Sequence, residues 1–270
     1  MGLSADMPLL TSLKQALTLN FLLVASVPVL FFGLLNIHLL AKQQLEGVRE
    51  RNMMQARSVS EEVEAFLLEV RSDLQHVEQT LASGQIINSA GIDDFLAGVV
   101  RNSQLFESIY MLDSNRQVLH LGVLPKLQPN RDDYSRLDFS GHPLFQTEEV
   151  MTAPGWSHTF VSLITGEPSV TLGMPMPQGF LLGNIRLTSL GKMLQRHATY
   201  GGFEVAIIDK NGTLVVHNNP ERALQRVNFG NRPAVISALS GKETTQEFRQ
   251  GSKYSLESTT CITTPGWVVW

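Results

Sequence analysis

EVAIIDKNGTLVVH, residues 204–217, joins two apolar runs through a polar Asp/Asn/Gly turn, which is the pattern of a β-hairpin. SIYMLDSNRQVLHL, residues 108–121, has the same form earlier in the chain. In each, the first run ends in an aspartate, Asp113 or Asp209. A second cassette follows each hairpin: Thr152-Ala153-Pro154-Gly155-Trp156 after the first and Thr263-Thr264-Pro265-Gly266-Trp267 after the second. Pro-Gly turns the chain and the tryptophan enters the next strand as a large apolar plug, so Trp156 and Trp267 read as structural first. Two cassettes in the same order imply an internally duplicated module rather than chance turns.

The residues around the cassettes complete two similar layouts. In the first module a short helix is expected over Ile92–Val100, then a strand over Ser169–Met174 that Pro175 and Pro177 end. A further strand, Gly179–Leu187, pairs antiparallel with it across the turn at Met176–Gln178. Thr188 or Ser189 caps a connecting helix that ends near Tyr200-Gly201-Gly202. The second module has a helix over Pro233–Leu239, strands near Thr244–Arg249 and Tyr254–Thr260, and the strand opened by Trp267. With strands outnumbering helices, the fold class is α+β, with curved antiparallel sheets flanked by short helices.

Upstream, Lys42–Leu81 has no proline and a single glycine, Gly47. Apolar residues recur at Ala56, Val59, Val63, Phe66 or Leu67, Val70, Leu74, Val77 and Leu81, alternating by three and four, so this is one long helix. The stripe suits packing on its own domain and equally a seam between two copies. Before it, residues 16–41 carry no charge between Lys14 and Lys42. At about 1.5 Å rise per residue this run can cross a hydrocarbon core of about 30 Å with some tilt. An apolar signal region is usually about 7–15 residues, and Leu39-Leu40-Ala41 lacks a small-x-small cleavage site, so the run reads as an uncleaved anchor over a cleaved signal or a buried soluble helix.

Charge narrows the partners. A net charge of −4 with 17% charged residues gives no basic excess and argues against nucleic acid. Lys14 before the run, against Lys42, Arg49 and Arg51 after it, mildly favours a cytoplasmic location for the long part, although large domains translocate largely regardless of flanking charge. The lone Cys261 has no internal disulfide partner.

One span, one long helix, two hairpin modules, the paired Pro-Gly-Trp cassettes and Gly166-Glu167-Pro168-Ser169-Val170-Thr171-Leu172-Gly173-Met174-Pro175 together resemble the double Cache (dCache) family over roughly Gln43–Trp270. The resemblance implies a membrane-anchored extracytoplasmic ligand sensor with two PAS-like modules, of the kind that serves bacterial histidine kinases, chemoreceptors and cyclic-di-GMP cyclases or phosphodiesterases. It places residues 42–270 in the periplasm or outside the cell, anchored in the inner membrane by the single span. The expected organisation is a cytoplasmic amino terminus over residues 1–15, a transmembrane helix over 16–41 and a long stalk helix over 42–83. A membrane-distal module over 84–190 and a membrane-proximal module over 191–270 follow. Trp270 falls where the family usually enters a second span and then an output domain, so the sequence is expected to be the input part of a longer receptor.

By the same resemblance the ligand sits in the distal module, whose richest polar stretch runs from Arg131 to Phe145. Amino-acid sensors of this kind hold the carboxylate with an Arg followed by Trp-Tyr, and the ammonium with an aspartate before Thr-Gly. Arg136 matches the arginine, Asp138 and Phe139 replace the Trp-Tyr, and Ser162 stands where the acid is expected. The implied ligand is therefore a carboxylate or another small polar metabolite rather than a standard amino acid. Candidate ligand-binding residues are Tyr110, Arg136, Asp138, Ser140, His142, Trp156 and Ser162; the charged stretch as a whole equally suits a solvated loop, and Tyr110 suits the core first. His120, His142 and His158 have no tight ligand spacing, and neither a His-Glu-x-x-His nor a Gly-x-Ser-x-Gly motif occurs, so no metal, cofactor or catalytic group is expected. A homodimer through the long helix is expected. The competing readings are a membrane-tethered periplasmic enzyme and a helix-pairing scaffold without a small-molecule ligand.

Overall fold

A computed structural model of the chain describes residues 13–84, 88–103, 105–146, 148–199, 203–219, 221–222 and 227–270. The first twelve residues of the expected cytoplasmic terminus, and the expected helix end at Tyr200-Gly201-Gly202, lie outside them. One helix, α1 (Leu13–Ala82), runs through two compact units, Met1–Arg51 and Asn52–Trp270. In the first unit the large apolar side chains from Leu17 to Leu40 are exposed, and the helix is long and apolar enough to cross a membrane. Two of its polar residues are bonded within the helix. Ser26 Oγ donates to the Leu22 carbonyl (2.6 Å) and Asn36 Nδ2 to the Phe32 carbonyl (2.9 Å), bonds that need no water.

In the second unit, helix α2 (Ser89–Ser103) leads into strands β1 (Phe106–Asp113) and β2 (Val118–Val123). A long irregular segment follows, with short 3-10 turns and the single turn α3 (Arg131–Tyr134), and then β3 (Gly155–Trp156), β4 (Phe160–Val161), β5 (Pro168–Met176) and β6 (Gly179–Arg186). Helix α4 (Thr188–Thr199) connects to β7 (Ala206–Ile208) and β8 (Leu214–His217), followed by α5 (Pro233–Leu239), β9 (Thr244–Gln250), β10 (Lys253–Ile262) and β11 (Trp267–Val269).

The two sheets are wound alike. Their strand orders are β2-β1-β6-β5-β3, with β4 also on β5, and β8-β7-β11-β10-β9, all pairings being antiparallel. The duplication extends to the turns. Each opening hairpin has a bulge just before its aspartate, at Met111/Leu112 and at Ile207/Ile208. Asp113 Oδ1 accepts from the N–H groups of Asn115 and Gln117 (both 2.8 Å), and Asp209 Oδ1 accepts from Asn211 and Thr213 (both 2.9 Å). The left-handed residue three places on is Arg116 in one turn (φ 66°) and Gly212 in the other (φ 79°). At Gly212 a Cβ would lie 2.3 Å from Gly230 Cα, so that turn excludes a side chain altogether.

Pro175 does not end its strand: β5 continues through it to Met176, in register with Phe180 and Gly179. The reason is position, since β3 and β4 cover only earlier residues of β5 and its last residues pair on one side alone, where a missing N–H is tolerated.

The stripe on α1 is the core seam of the second unit. Ala56, Val59, Val63, Leu67, Val70, Leu74 and Val77 are buried in one cluster with Phe106, Ile109, Val170, Leu172, Leu181 and Ile185 of the first sheet and Ile207, Ile262, Trp267 and Val269 of the second. This corrects the expectation of a dimer seam along the stripe. Val63 and Val70 are fully buried against the chain's own sheets, so a second copy would have to meet a different face of the helix.

Candidate functional site

Alternation along the strands of the first sheet separates two faces. Ile109, Met111, Leu172 and Leu181 point to α1, whereas Tyr110, Leu112, Phe180 and Leu182 join a separate apolar cluster with Phe139, Leu144 and Val150 of the irregular segment. The second face is the one covered by loop rather than helix.

A polar row crosses this otherwise apolar face. His142 Nδ1 accepts from the Leu144 N–H (3.2 Å), which leaves the ring proton on Nε2, 3.4 Å from Thr171 Oγ1. Thr171 Oγ1 donates to Asn184 Oδ1 (2.6 Å), and Asn184 Nδ2 donates to Ser108 Oγ (3.2 Å). Donation thus runs in one direction across three strands, from His142 to Ser108. Phe139 and Phe160 bracket the imidazole, with ring centroids at 5.4 and 5.0 Å, and Phe139 also lies against Tyr110 at 4.7 Å. Tyr110 Oη is buried without a hydrogen bond of acceptable geometry. Burial, only partly offset by the neighbouring Ser108 hydroxyl, pushes its phenol well above the ordinary range.

Burial also lowers the His142 imidazole from its ordinary 6.5 to about 4, so it is neutral at pH 7. Because the folded value lies below the unfolded one, stability is full above about pH 6.5 and is lost as the pH falls toward 4, by about 3 kcal/mol at most. Urea titrations between pH 4 and 7 are expected to show this slope in the native chain and a flatter one in His142→Gln. An unchanged slope would place the titration elsewhere.

The remaining sequence candidates are dispersed. Arg136 is exposed on the loop. Asp138 and Ser140 are exposed and bonded to each other: the carboxylate accepts from Ser140 Oγ (2.6 Å) and N–H (2.9 Å), and these bonds hold it below the usual carboxylate range. Ser162 is buried but already committed, donating to Glu107 Oε1 while accepting from the N–H groups of Ile164 and Thr165. Trp156 pairs with Leu172 and packs with the α1 cluster, on the other side of the sheet from Tyr110. Of the seven, only Tyr110 and His142 share the loop-covered face. Ser108, Thr171, Asn184 and Glu107 escaped the sequence reading; the available signal was a polar residue inside an apolar strand, as at Asn184 in Phe180-Leu181-Leu182-Gly183-Asn184-Ile185.

No protein-family model matches the sequence, and no curated protein matches it at a significant level. Solved structures match the fold. The ligand-binding domain of Mlp24 with asparagine has a TM-score of 0.61 at 19% identity, over 84% of this chain and 92% of that one. The ligand-binding domain of the Pseudomonas aeruginosa amino-acid chemoreceptor PctC in complex with GABA gives 0.60 at 15%, over 82% and 97%. That of the Pseudomonas fluorescens chemoreceptor CtaA with L-isoleucine gives 0.60 at 14%, over 84% and 92%. The fold shared with them is that of dCache ligand-binding domains.

Proposed function

We propose, from the double Cache fold as premise, that this chain is the extracytoplasmic sensor region of a membrane-anchored bacterial receptor, and that it binds a small molecule rather than catalysing a reaction. The observation that carries the reading is the pair of similarly wound sheets built on one helix that begins as an apolar, exposed segment. In this reading residues 16–41 cross the inner membrane and the sheets lie in the periplasm. The sheet nearer the helix end at Ala82 is the distal module, and its ligand lies against the loop-covered face, near Tyr110 and His142.

The polar row on that face supports an uncharged or singly charged hydrogen-bonding metabolite, with aromatic rings for its apolar part. Arg136 and Asp138 are exposed and Ser162 is engaged by Glu107, so these three candidates do not meet on that face. The three similar structures nevertheless contain amino acids, which belong in any screen. Output follows from population shift: a ligand biases α1 only by its difference in affinity for two arrangements of the sheet on the helix.

The test is a thermal-shift and calorimetric screen of the full chain in lipid nanodiscs, with organic acids, amines, nucleobases and amino acids. Tyr110→Phe removes a buried hydroxyl that meets only the Ser108 hydroxyl, and without good hydrogen-bond geometry, so it should change the ligand-free melting temperature little. For a distal ligand it should weaken binding about tenfold, the equivalent of one hydrogen bond. Equal affinity in Tyr110→Phe would move the ligand away from this face.

A further inference from the structure

The two opening hairpins differ at the left-handed position of their turns. Where the second has Gly212, the first has Arg116, whose φ of 66° is the one positive value at a non-glycine among the described residues. An L side chain there crowds the backbone in a way that glycine avoids. What the arginine gains lies on the loop that covers the first sheet. Its Nη1 donates to the Ser140 carbonyl (3.3 Å), and its guanidinium lies over the Phe145 ring, 4.6 Å from the centroid. Phe145 in turn meets Phe180 of β6 edge to face with centroids 5.0 Å apart, so Arg116 holds a ring that is itself seated on the sheet. The next residue extends the contact, since Gln117 and Asp138 form an isolated antiparallel bridge. The second module repeats that bridge between Thr213 and Asn228, but Gly212 gives it no arm to reach over its loop.

The other end of the covering loop is held differently. Arg131 Nη2 donates to Asp93 Oδ2 (2.7 Å) and reaches the Leu121 carbonyl (3.5 Å), while Asp93 Oδ1 accepts from the Leu121 N–H (3.0 Å). This end is therefore pinned to α2 and to the outer strand β2 by an ion pair. A guanidinium facing a carboxylate is held more strongly than one facing a carbonyl and a ring, so when the loop lifts it is the Arg116 end that opens. Between the two pins, Phe139 and Leu144 are buried against Tyr110, Phe180 and Leu182. A small molecule reaches that face only when these two side chains withdraw.

We infer that residues 137–145 form a lid over the distal face, hinged near Arg131 and clasped by Arg116. Release of the clasp precedes binding, and the affinity for any compound on that face is reduced in proportion to the fraction of chains whose lid is open. The inference rests on the distal-face reading for what passes under the lid. The lid itself is defined by contacts within this chain.

The experiment accordingly needs no ligand and uses the full chain in nanodiscs. Hydrogen exchange read by mass spectrometry follows the amides of His142, Leu144 and Phe145, which donate to acceptors inside the loop, the Phe139 carbonyl, His142 Nδ1 and the His142 carbonyl. In a separate Cys261→Ser background, Leu182→Cys puts a thiol on the covered face, and N-ethylmaleimide is the small neutral probe of access. Arg116→Gly removes the arm and suits the left-handed turn; Arg116→Asn removes it with a second residue that tolerates that conformation. Both are expected to speed loop exchange and thiol labelling about tenfold, the factor equivalent to one net hydrogen bond or cation–π contact, with exchange in β1 and β6 unchanged. Two results overturn the lid: loop exchange and labelling in both variants that match the native chain, or loop exchange that rises only together with that of β1 and β6, which would make Arg116 a contact of general stability. Neither touches the sensor reading. A lid upheld by labelling, with no compound in the wider screen whose binding depends on Tyr110, would remove the distal-face reading and leave the lid.

Discussion

Glu257→Ala is expected to destabilise the second module by about 3–5 kcal/mol, among the largest effects of any single change in this chain. The loss is not the worth of the ion pair. Arg232 has a side chain only 16% exposed and fixed among Phe229, Phe248 and Trp270, so without Glu257 its charge stays out of water with no counter-charge. Glu257→Gln keeps an acceptor but not the charge and should fall between the native chain and alanine. Replacing both partners together, as Arg232→Met with Glu257→Leu, removes the stranded charge and should recover most of the loss, because packed apolar side chains often substitute for a buried pair at little cost. Urea unfolding at pH 7 measures all four. If the double replacement is no better than alanine alone, the penalty does not come from an uncompensated arginine.

Leu74→Ala should cost about 2–5 kcal/mol through the transfer free energy lost and the cavity left behind. Leu74 is fully buried on α1 and reaches across to the first sheet where Gly183 leaves room. A Cβ built at Gly183 would lie 2.7 Å from the Phe106 ring and 3.3 Å from Leu74 Cδ1, so helix, glycine and ring fill one tight layer. The neighbouring Leu68, 65% exposed on the other side of the same helix, provides the control: Leu68→Ala should change stability by less than about 0.5 kcal/mol. Equal effects at the two positions would mean that the seam is not what joins the helix to the sheet. Since Leu74 lies between the first sheet and α1, loss of this layer should also loosen the connection that a distal ligand is proposed to use.

Much of the architecture was legible from residue order. The Asp-turn hairpins at Asp113 and Asp209 and the helical stripe from Ala56 to Val77 rest on local periodicity and turn chemistry, which act within a few residues and leave a direct trace in sequence; the two Pro-Gly-Trp cassettes are not equivalent, since Trp156 opens the outer strand β3 and Trp267 the central strand β11. The continuation of β5 through Pro175 left no such trace, because whether a missing N–H matters depends on which side of the strand has a neighbour.

The candidate sites divide along the same line. Tyr110 stood in an apolar hairpin strand and Trp156 behind a Pro-Gly turn, but only the packed sheet decided that Tyr110 lies under the loop and Trp156 under the helix. A charged stretch advertised Arg136 and Asp138, which the fold leaves in solvent, while Thr171 and Asn184 were hidden inside apolar strands and brought together by register. The cavity of about 450 Å³ between α1 and the second sheet was out of reach of any local pattern, since Asn52, Arg232 and Trp270 on its lining come from opposite ends of the unit. Turns, strands and the helical seam are set by interactions between residues close in the chain. Which polar groups end up buried, paired or left without a partner is set by long-range packing, and that is settled only in the folded structure.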